Sequence, residues 1–192
     1  MYYVLLGLSW AVFYTLHSVL AASKIKIILE GKLGKAYKWY RFAYILISIL
    51  LFLGIMVQAL LIPKLVLIPK GNLTDYLGYM FAGFGTIIAT KASKAFSLKT
   101  FLGGMPSAKK EELLVTSGLF SKVRHPLYGG LVLIFLGYFL FSGTLAAAVH
   151  LTCLLFYLPV GIYFEEKNLV EQFGEAYLKY RSVVPALLPR LW

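Results

Sequence analysis

Lys, Arg, Asp and Glu are absent from four stretches of the chain, residues 2–22, 42–62, 76–90 and 127–164. About 20 residues in a helix cross the hydrocarbon core of a bilayer. The last stretch is too long for one crossing, and Ser142, Gly143 and Thr144 at its middle read as a tight turn between two. The pattern therefore predicts five transmembrane helices, over about residues 2–22, 42–62, 76–95, 127–142 and 144–164. The third and fourth are short. Beyond them, Leu169, Val170, Phe173, Tyr177 and Tyr180 fall on one helical face, with Glu171, Glu175 and Lys179 on another. That spacing predicts an amphipathic helix over residues 165–182, lying in the interface or folded over the bundle. The fold class is all-α integral membrane, a single domain over residues 1–192.

Composition agrees: 60% of the 192 residues are hydrophobic and 14% are charged, well outside soluble usage. The first apolar stretch lacks the basic region of a secretion signal and is about 20 residues long, so it reads as a retained helix. The single cysteine, Cys153, lies within a span and excludes a disulfide framework or a cysteine metal site. No metal is implied.

The net charge of +11 would suit nucleic acid, but its distribution points elsewhere. Six Lys and Arg lie between the first two spans, seven between the third and fourth, and four after the fifth; only Lys64 and Lys70 lie on the other side. Seventeen against two is a positive-inside pattern, which puts the N-terminus outside and the C-terminus at the cytoplasmic face of the inner membrane. The basic excess then sets topology and meets anionic lipid headgroups, with no need of nucleic acid and no obligate protein partner in evidence.

In the first inside loop, residues 23–40, Gly31 and Gly34 are expected to break any continuous helix. The third span carries Gly78, Gly83 and Gly85, where a second backbone or a ligand can come close. The second inside loop, residues 91–124, is the longest polar stretch and contains Gly103-Gly104-Met105-Pro106.

Candidate chemistry follows from the hairpin. With a turn at residues 142–144, both open ends of spans four and five lie at the same face. One carries Arg124, His125 and Tyr128, and the other carries Glu165 and Glu166. Carboxylates at a membrane boundary are costly to desolvate, so they take partners or a ligand. An ion-pair cluster that fixes the hairpin and a binding site are both open readings. Pro126 suits the first position of a helix, which needs no N–H, and Pro159 is expected to kink the fifth span. His17 and Ser18, near the inner end of the first span, are placed at the level of His125, where packing and substrate contact are equally open. His150 reads as a hydrogen-bonded helix residue. No glycine-rich phosphate loop is present.

The stretches "TSGLFSKVRHPLYGG" and "FEEKNLVEQFGEAYLKYRSVVPALLP" resemble the membrane methyltransferases related to isoprenylcysteine carboxyl methyltransferase. Phospholipid N-methyltransferases share a looser form of the pattern. The likeness is nearest to the branch with NnrU-like proteins and methanethiol S-methyltransferases, where a His-Ser pair also lies in an early span. It covers about residues 116–189 and is weaker over the first three spans. The resemblance implies a membrane core that binds S-adenosylmethionine without a Rossmann sheet and releases S-adenosylhomocysteine. On that basis Thr116, Gly118, His125, Pro126, Tyr128, Glu165, Glu166, Tyr177 and Tyr180 are cofactor-binding candidates, with Gly83 and Gly85 as weaker ones. Arg124, His125 and His17 are the catalytic candidates, a histidine serving as base if the nucleophile arrives protonated.

One departure bears on the acceptor. Prenylcysteine enzymes carry an arginine shortly before Glu-Glu, whereas this chain reads "LPVGIYFEE". A substrate carboxylate would need another cation, Arg124 or Arg181, so a small or lipophilic neutral acceptor, above all a thiol, is expected. A non-enzymatic accessory protein of nitrogen-oxide respiration is the competing class. A small transporter is disfavored, because the charged cluster sits at one face only.

Overall fold

The computed structural model describes residues 1–94 and 113–189, and statements of absence below concern these residues. They are helical throughout, apart from connecting segments and one isolated bridge between Val66 and Thr144. The glycine-rich part of the second inside loop, including Gly103 and Gly104, lies outside the described residues. The described residues form two compact units, residues 1–65, and residues 66–94 with 113–189.

In the first unit, α1 (Tyr2–Ala21) leads to α2 (Ser23–Leu33), a 3-10 turn (Gly34–Trp39) and α3 (Tyr40–Leu61). Helices α1 and α3 meet through Leu6, Trp10 and Ile55, all buried, and Trp10 packs edge-on against Phe52 at 6.0 Å. One expectation needs correction here. Gly31 does not interrupt the helix, which runs on to Leu33. A glycine inside a helix costs only about 1 kcal/mol relative to alanine, which its neighbours absorb. Gly34, by contrast, adopts a φ of 50° and ends it.

In the second unit, α4 (Asn72–Ser93) packs on α5 (Pro126–Ser142), which turns into α6 (Leu145–Phe173) and then α7 (Glu175–Val183). The α4–α5 contact is backbone against backbone. A Cβ added at Gly85 would come within 2.6 Å of the Gly130 carbonyl oxygen, and one at Gly137 within 2.6 Å of the Gly78 oxygen. Only glycine permits that approach, and the pairs repeat every seven residues on each helix.

The hairpin turn forms where the apolar run is interrupted. Gly143 takes φ 64°, and its carbonyl accepts from the N–H groups of Leu67 at 2.7 Å and Ile68 at 3.0 Å. The Thr144 hydroxyl accepts from Ala147 N–H and caps α6. Pro126 stands in the first turn of α5, the position suited to a residue without an N–H.

Helix α6, the predicted fifth span, does not stop at Phe164. It continues through Pro159, Glu165 and Glu166 to Phe173, and the break comes at Gly174, with φ 53°. The predicted interfacial helix is thus two pieces, the end of α6 and the nine-residue α7. Its predicted face holds nonetheless: Tyr177 is buried, Leu169, Val170, Phe173 and Tyr180 are half-buried, and Glu171, Glu175 and Lys179 are exposed.

This is an all-α membrane protein. Among the described residues three helices are long and apolar enough to cross a bilayer, Tyr2–Ala21, Phe42–Leu61 and Leu145–Phe173, and Pro126–Ser142 is apolar but shorter. Helix α4, at 22 residues, carries Asp75 and Lys91 near its ends.

Candidate active site

Arg124 and His125 stand immediately before α5, and the chain returns to them from its far end. Their backbone N–H groups donate to the carbonyls of Pro185 and Ala186, each at 2.9 Å. The Arg124 guanidinium is spent on two elements. Its Nε and Nη2 donate to Glu166 Oε1 at 2.8 and 2.6 Å. Its Nη1 donates to the carbonyls of Arg181, at 3.1 Å, and Val184, satisfying the last carbonyls of α7. One side chain therefore ties the start of α5 to the extended end of α6 and to the close of α7.

His125 is buried beneath this. Its Nε2 lies 3.1 Å from Glu166 Oε1 and its Nδ1 3.5 Å from Glu165 Oε2. Burial pulls the imidazole pKa down, but hydrogen bonds and charge from Glu165 and Glu166 outweigh it and hold the pKa above the ordinary value. Glu166 is 6% exposed and receives a third contact, Arg181 Nε to its Oε2 at 3.1 Å. A buried carboxylate is tolerable only with such partners. Glu165, one residue earlier, is different, with a side chain 45% exposed.

Aromatic groups line the cluster. The Tyr128 ring is 5.7 Å from that of His125. The Tyr180 hydroxyl donates to the Phe120 carbonyl at 2.6 Å, fastening α7 to the 3-10 turn over Gly118–Ser121. Tyr177 is fully buried, and its hydroxyl makes no hydrogen bond of ordinary geometry. Burial, reinforced by the Glu166 charge, pushes this phenol up to about 12.

The structure thus brings together Arg124, His125, Pro126, Tyr128, Glu165, Glu166, Tyr177 and Tyr180. Thr116 and Gly118 lie exposed on the approach to the 3-10 turn, and Gly118 uses a φ of 64° to begin it. Gly85 is committed to the α4–α5 contact, while a Cβ at Gly83 would meet nothing within 4 Å. His17 belongs to the first unit, stacked on Phe13 with Tyr44 and Ser48 within hydrogen-bonding distance. Two open grooves, of about 340 and 450 Å³, also belong there, lined by residues such as Leu5, Gly54 and Gln58. Sequence reasoning named Arg181 only as an alternative cation for a substrate carboxylate and not as a partner of Glu166, although it follows Tyr177 by four residues and so shares its helical face. The carbonyls of residues 184–186 carried no signal at all.

The model of the phospholipid methyltransferase family matches residues 73–176, just over half of the chain. A protein-S-isoprenylcysteine O-methyltransferase of Schizosaccharomyces pombe is 36% identical over 81 residues, 42% of this chain and 34% of that protein. A methanethiol S-methyltransferase of Crocosphaera subtropica is 40% identical over 74 residues, 38% of this chain and 28% of that protein. One from Pseudomonas deceptionensis is 35% identical over 97 residues, 50% of this chain and 36% of that protein. The matches span about a third of the length of these relatives. No solved structure matches. With Arg124, His125, Glu165 and Glu166 all inside the matched segment, the chain belongs to the phospholipid methyltransferase family.

Proposed function

We propose that this protein is an integral membrane methyltransferase that uses S-adenosylmethionine and acts on a small or lipophilic acceptor, a neutral thiol above all. The observation that carries the reading is the buried Arg124–Glu166–His125 cluster at the open end of the α5–α6 hairpin, inside the segment that matches the family. The seventeen-to-two division of basic residues supports a cytoplasmic position for that end.

The residues present fit the methyl donor. Its amino-acid end is zwitterionic, and the cluster offers both a half-exposed carboxylate, Glu165, and a half-exposed guanidinium, Arg181. The buried Tyr177 hydroxyl, which makes no hydrogen bond of ordinary geometry, is a further polar group among these charges. Glu165 would take the ammonium or a ribose hydroxyl, and the rings of Tyr128 and Tyr180 would face the sulfonium end. When bound, S-adenosylmethionine supplies an electrophilic methyl group and leaves as S-adenosylhomocysteine. The protein's own contribution is to hold the partners in line and exclude water, which is where most of the acceleration of such a displacement arises. Arg124 and Glu166 make that platform rigid, since neither is free to turn. The names of the relatives support the acceptor, two being methanethiol enzymes, as does the absence of an arginine before Glu-Glu.

The test uses purified protein in detergent. Calorimetric titration should show S-adenosylmethionine binding, and labelled methyl should pass to an alkyl thiol in preference to a prenylcysteine analogue or an aminophospholipid. A protein that binds no donor under any condition that keeps it folded sinks the reading. Transfer confined to the prenylcysteine acid or to the amine would move the acceptor and leave the enzyme class standing.

A further inference from the structure

Arg124 and Arg181 both contact Glu166, but they are not equivalent. Arg124 is 11% exposed, and each of its nitrogens already donates to a carboxylate or a carbonyl. Arg181 is 50% exposed, and its Nε lies 3.1 Å from Glu166 Oε2. Among the described residues, its Nη1 and Nη2 donate no hydrogen bond, whereas all three Arg124 guanidinium nitrogens do. A half-exposed guanidinium with hydrogen-bonding capacity to spare thus stands at the edge of a buried ionic cluster.

The charge count of the cluster points the same way. Each ring nitrogen of His125 faces a carboxylate oxygen, at 3.1 and 3.5 Å. A neutral imidazole has a single N–H, so both contacts are attractive only in the imidazolium form. Three cationic side chains, Arg124, His125 and Arg181, then face two carboxylates. The surplus positive charge emerges where solvent reaches it, at Arg181. A guanidinium edge matches a carboxylate in a bidentate pair, and its rigid fork makes that pairing specific. Glu165 in the same cluster is half-exposed and supplies the opposite charge for an ammonium.

Resting on the methyltransferase reading above, we propose that the outward edge of Arg181 docks the carboxylate of an amino-acid group at the Arg124–Glu166 cluster. That carboxylate belongs either to the amino-acid end of the methyl donor or to an acidic acceptor. In the second case Arg181 replaces the arginine that this chain lacks before Glu-Glu.

The experiment compares the wild-type full chain with Arg181→Gln and Arg181→Lys by calorimetry in detergent. The probes are S-adenosylhomocysteine, methylthioadenosine (the same thioether without the amino-acid end), N-acetyl-S-farnesylcysteine and its methyl ester. If the carboxylate is the donor's, Arg181→Gln weakens S-adenosylhomocysteine about ten- to a hundred-fold, as expected for a lost charge-assisted hydrogen bond. Methylthioadenosine is then unaffected, and Arg181→Lys, which keeps charge without the fork, falls between. If it is the acceptor's, S-adenosylhomocysteine is unaffected and the loss is confined to the acid over its ester. Thermal unfolding close to that of the wild type certifies the fold, and Arg181→Lys serves should Arg181→Gln be unstable. Affinities for all four probes within two-fold of the wild type overturn the proposal. Wild-type protein that fails to bind S-adenosylhomocysteine overturns the methyltransferase reading, while the acid and ester still decide on Arg181. Binding of neither the acid nor S-adenosylhomocysteine overturns both.

Discussion

Replacing Glu166 by glutamine and Glu165 by glutamine removes the same charge from adjacent residues, and the structure assigns the two changes different outcomes. Glu166 is 6% exposed and faces Arg124 at 2.6 Å, His125 at 3.1 Å and Arg181 at 3.1 Å. Glutamine keeps the shape and one acceptor oxygen, so the hydrogen bonds from Arg124 survive in part, but the counter-charge is lost. Breaking a buried pair on one side costs about 3–5 kcal/mol, and the retained oxygen places this change at the lower end, about 3 kcal/mol. For a chain of this length that corresponds to a fall in Tm on the order of 10 °C. Glu165, by contrast, is 45% exposed with a single contact at 3.5 Å, so Glu165→Gln should unfold within about 1 kcal/mol of the wild type. Its effect should appear in donor affinity, about ten-fold weaker for one lost charge-assisted hydrogen bond. The assay is thermal unfolding of each variant in one detergent, followed by titration with S-adenosylmethionine. A Glu166→Gln protein that melts with the wild type would refute the view that this carboxylate holds the cluster together.

The α4–α5 contact should reject a single methyl group. Gly85→Ala should cost about 1–3 kcal/mol through overpacking, whereas Gly83→Ala, with open space at its Cβ, should be neutral or slightly stabilising; melting curves of the pair decide it. The pH dependence follows from His125, faced by Glu165 and Glu166 with Arg124 beside it. Its pKa is raised on folding, so its contribution is complete below the unfolded value near 6.5 and is lost as pH rises through the folded one. The Tm of the wild type should therefore fall above about pH 6.5 more steeply than that of His125→Asn, and parallel curves would remove the imidazolium from the account. Topology is checked by labelling single cysteines at Asn72 and Ser182 after replacement of Cys153. Labelling at position 182 from outside intact cells would reverse the orientation.

How much of this was readable in the sequence depends on which backbone property ends an element. The hairpin turn was readable, because a Ser-Gly-Thr interruption in an apolar run coincides with the one residue that takes φ 64° without strain. The end of α6, the fifth span, was not. Polarity begins at Glu165, but glutamate is a good helix former, and a helix stops where its backbone must leave αR. That happens at Gly174, ten residues past Phe164, where the uncharged run ends. Gly31 and Gly34 make the same point: one residue type, three positions apart, continues the helix once and ends it once. The glycines of α4 were visible as a group. Spacing divides them, since Gly78 and Gly85 are seven apart and share a face, while Gly83 lies about 200° away from Gly85 at 100° per residue.

The same geometry explains the split of the Glu-Glu pair. Neighbouring residues on a helix point about 100° apart, so two adjacent glutamates at the end of a packed helix cannot both face inward. Because α6 runs straight through them, one is turned onto Arg124 and His125 and the other toward solvent. Had the helix ended at Phe164, as polarity suggests, both carboxylates would sit on loop backbone with freedom to rotate, and neither role would be fixed. The nine further residues of α6 also set where Gly174 turns the chain. That turn carries α7 and the carbonyls of residues 184–186 back onto Arg124 and His125. The buried glutamate and the returning chain end thus hold the same arginine from two sides. This leaves Glu165 and Arg181 as the half-exposed charges of the cluster, one of each sign, as the proposed docking of a zwitterionic ligand requires.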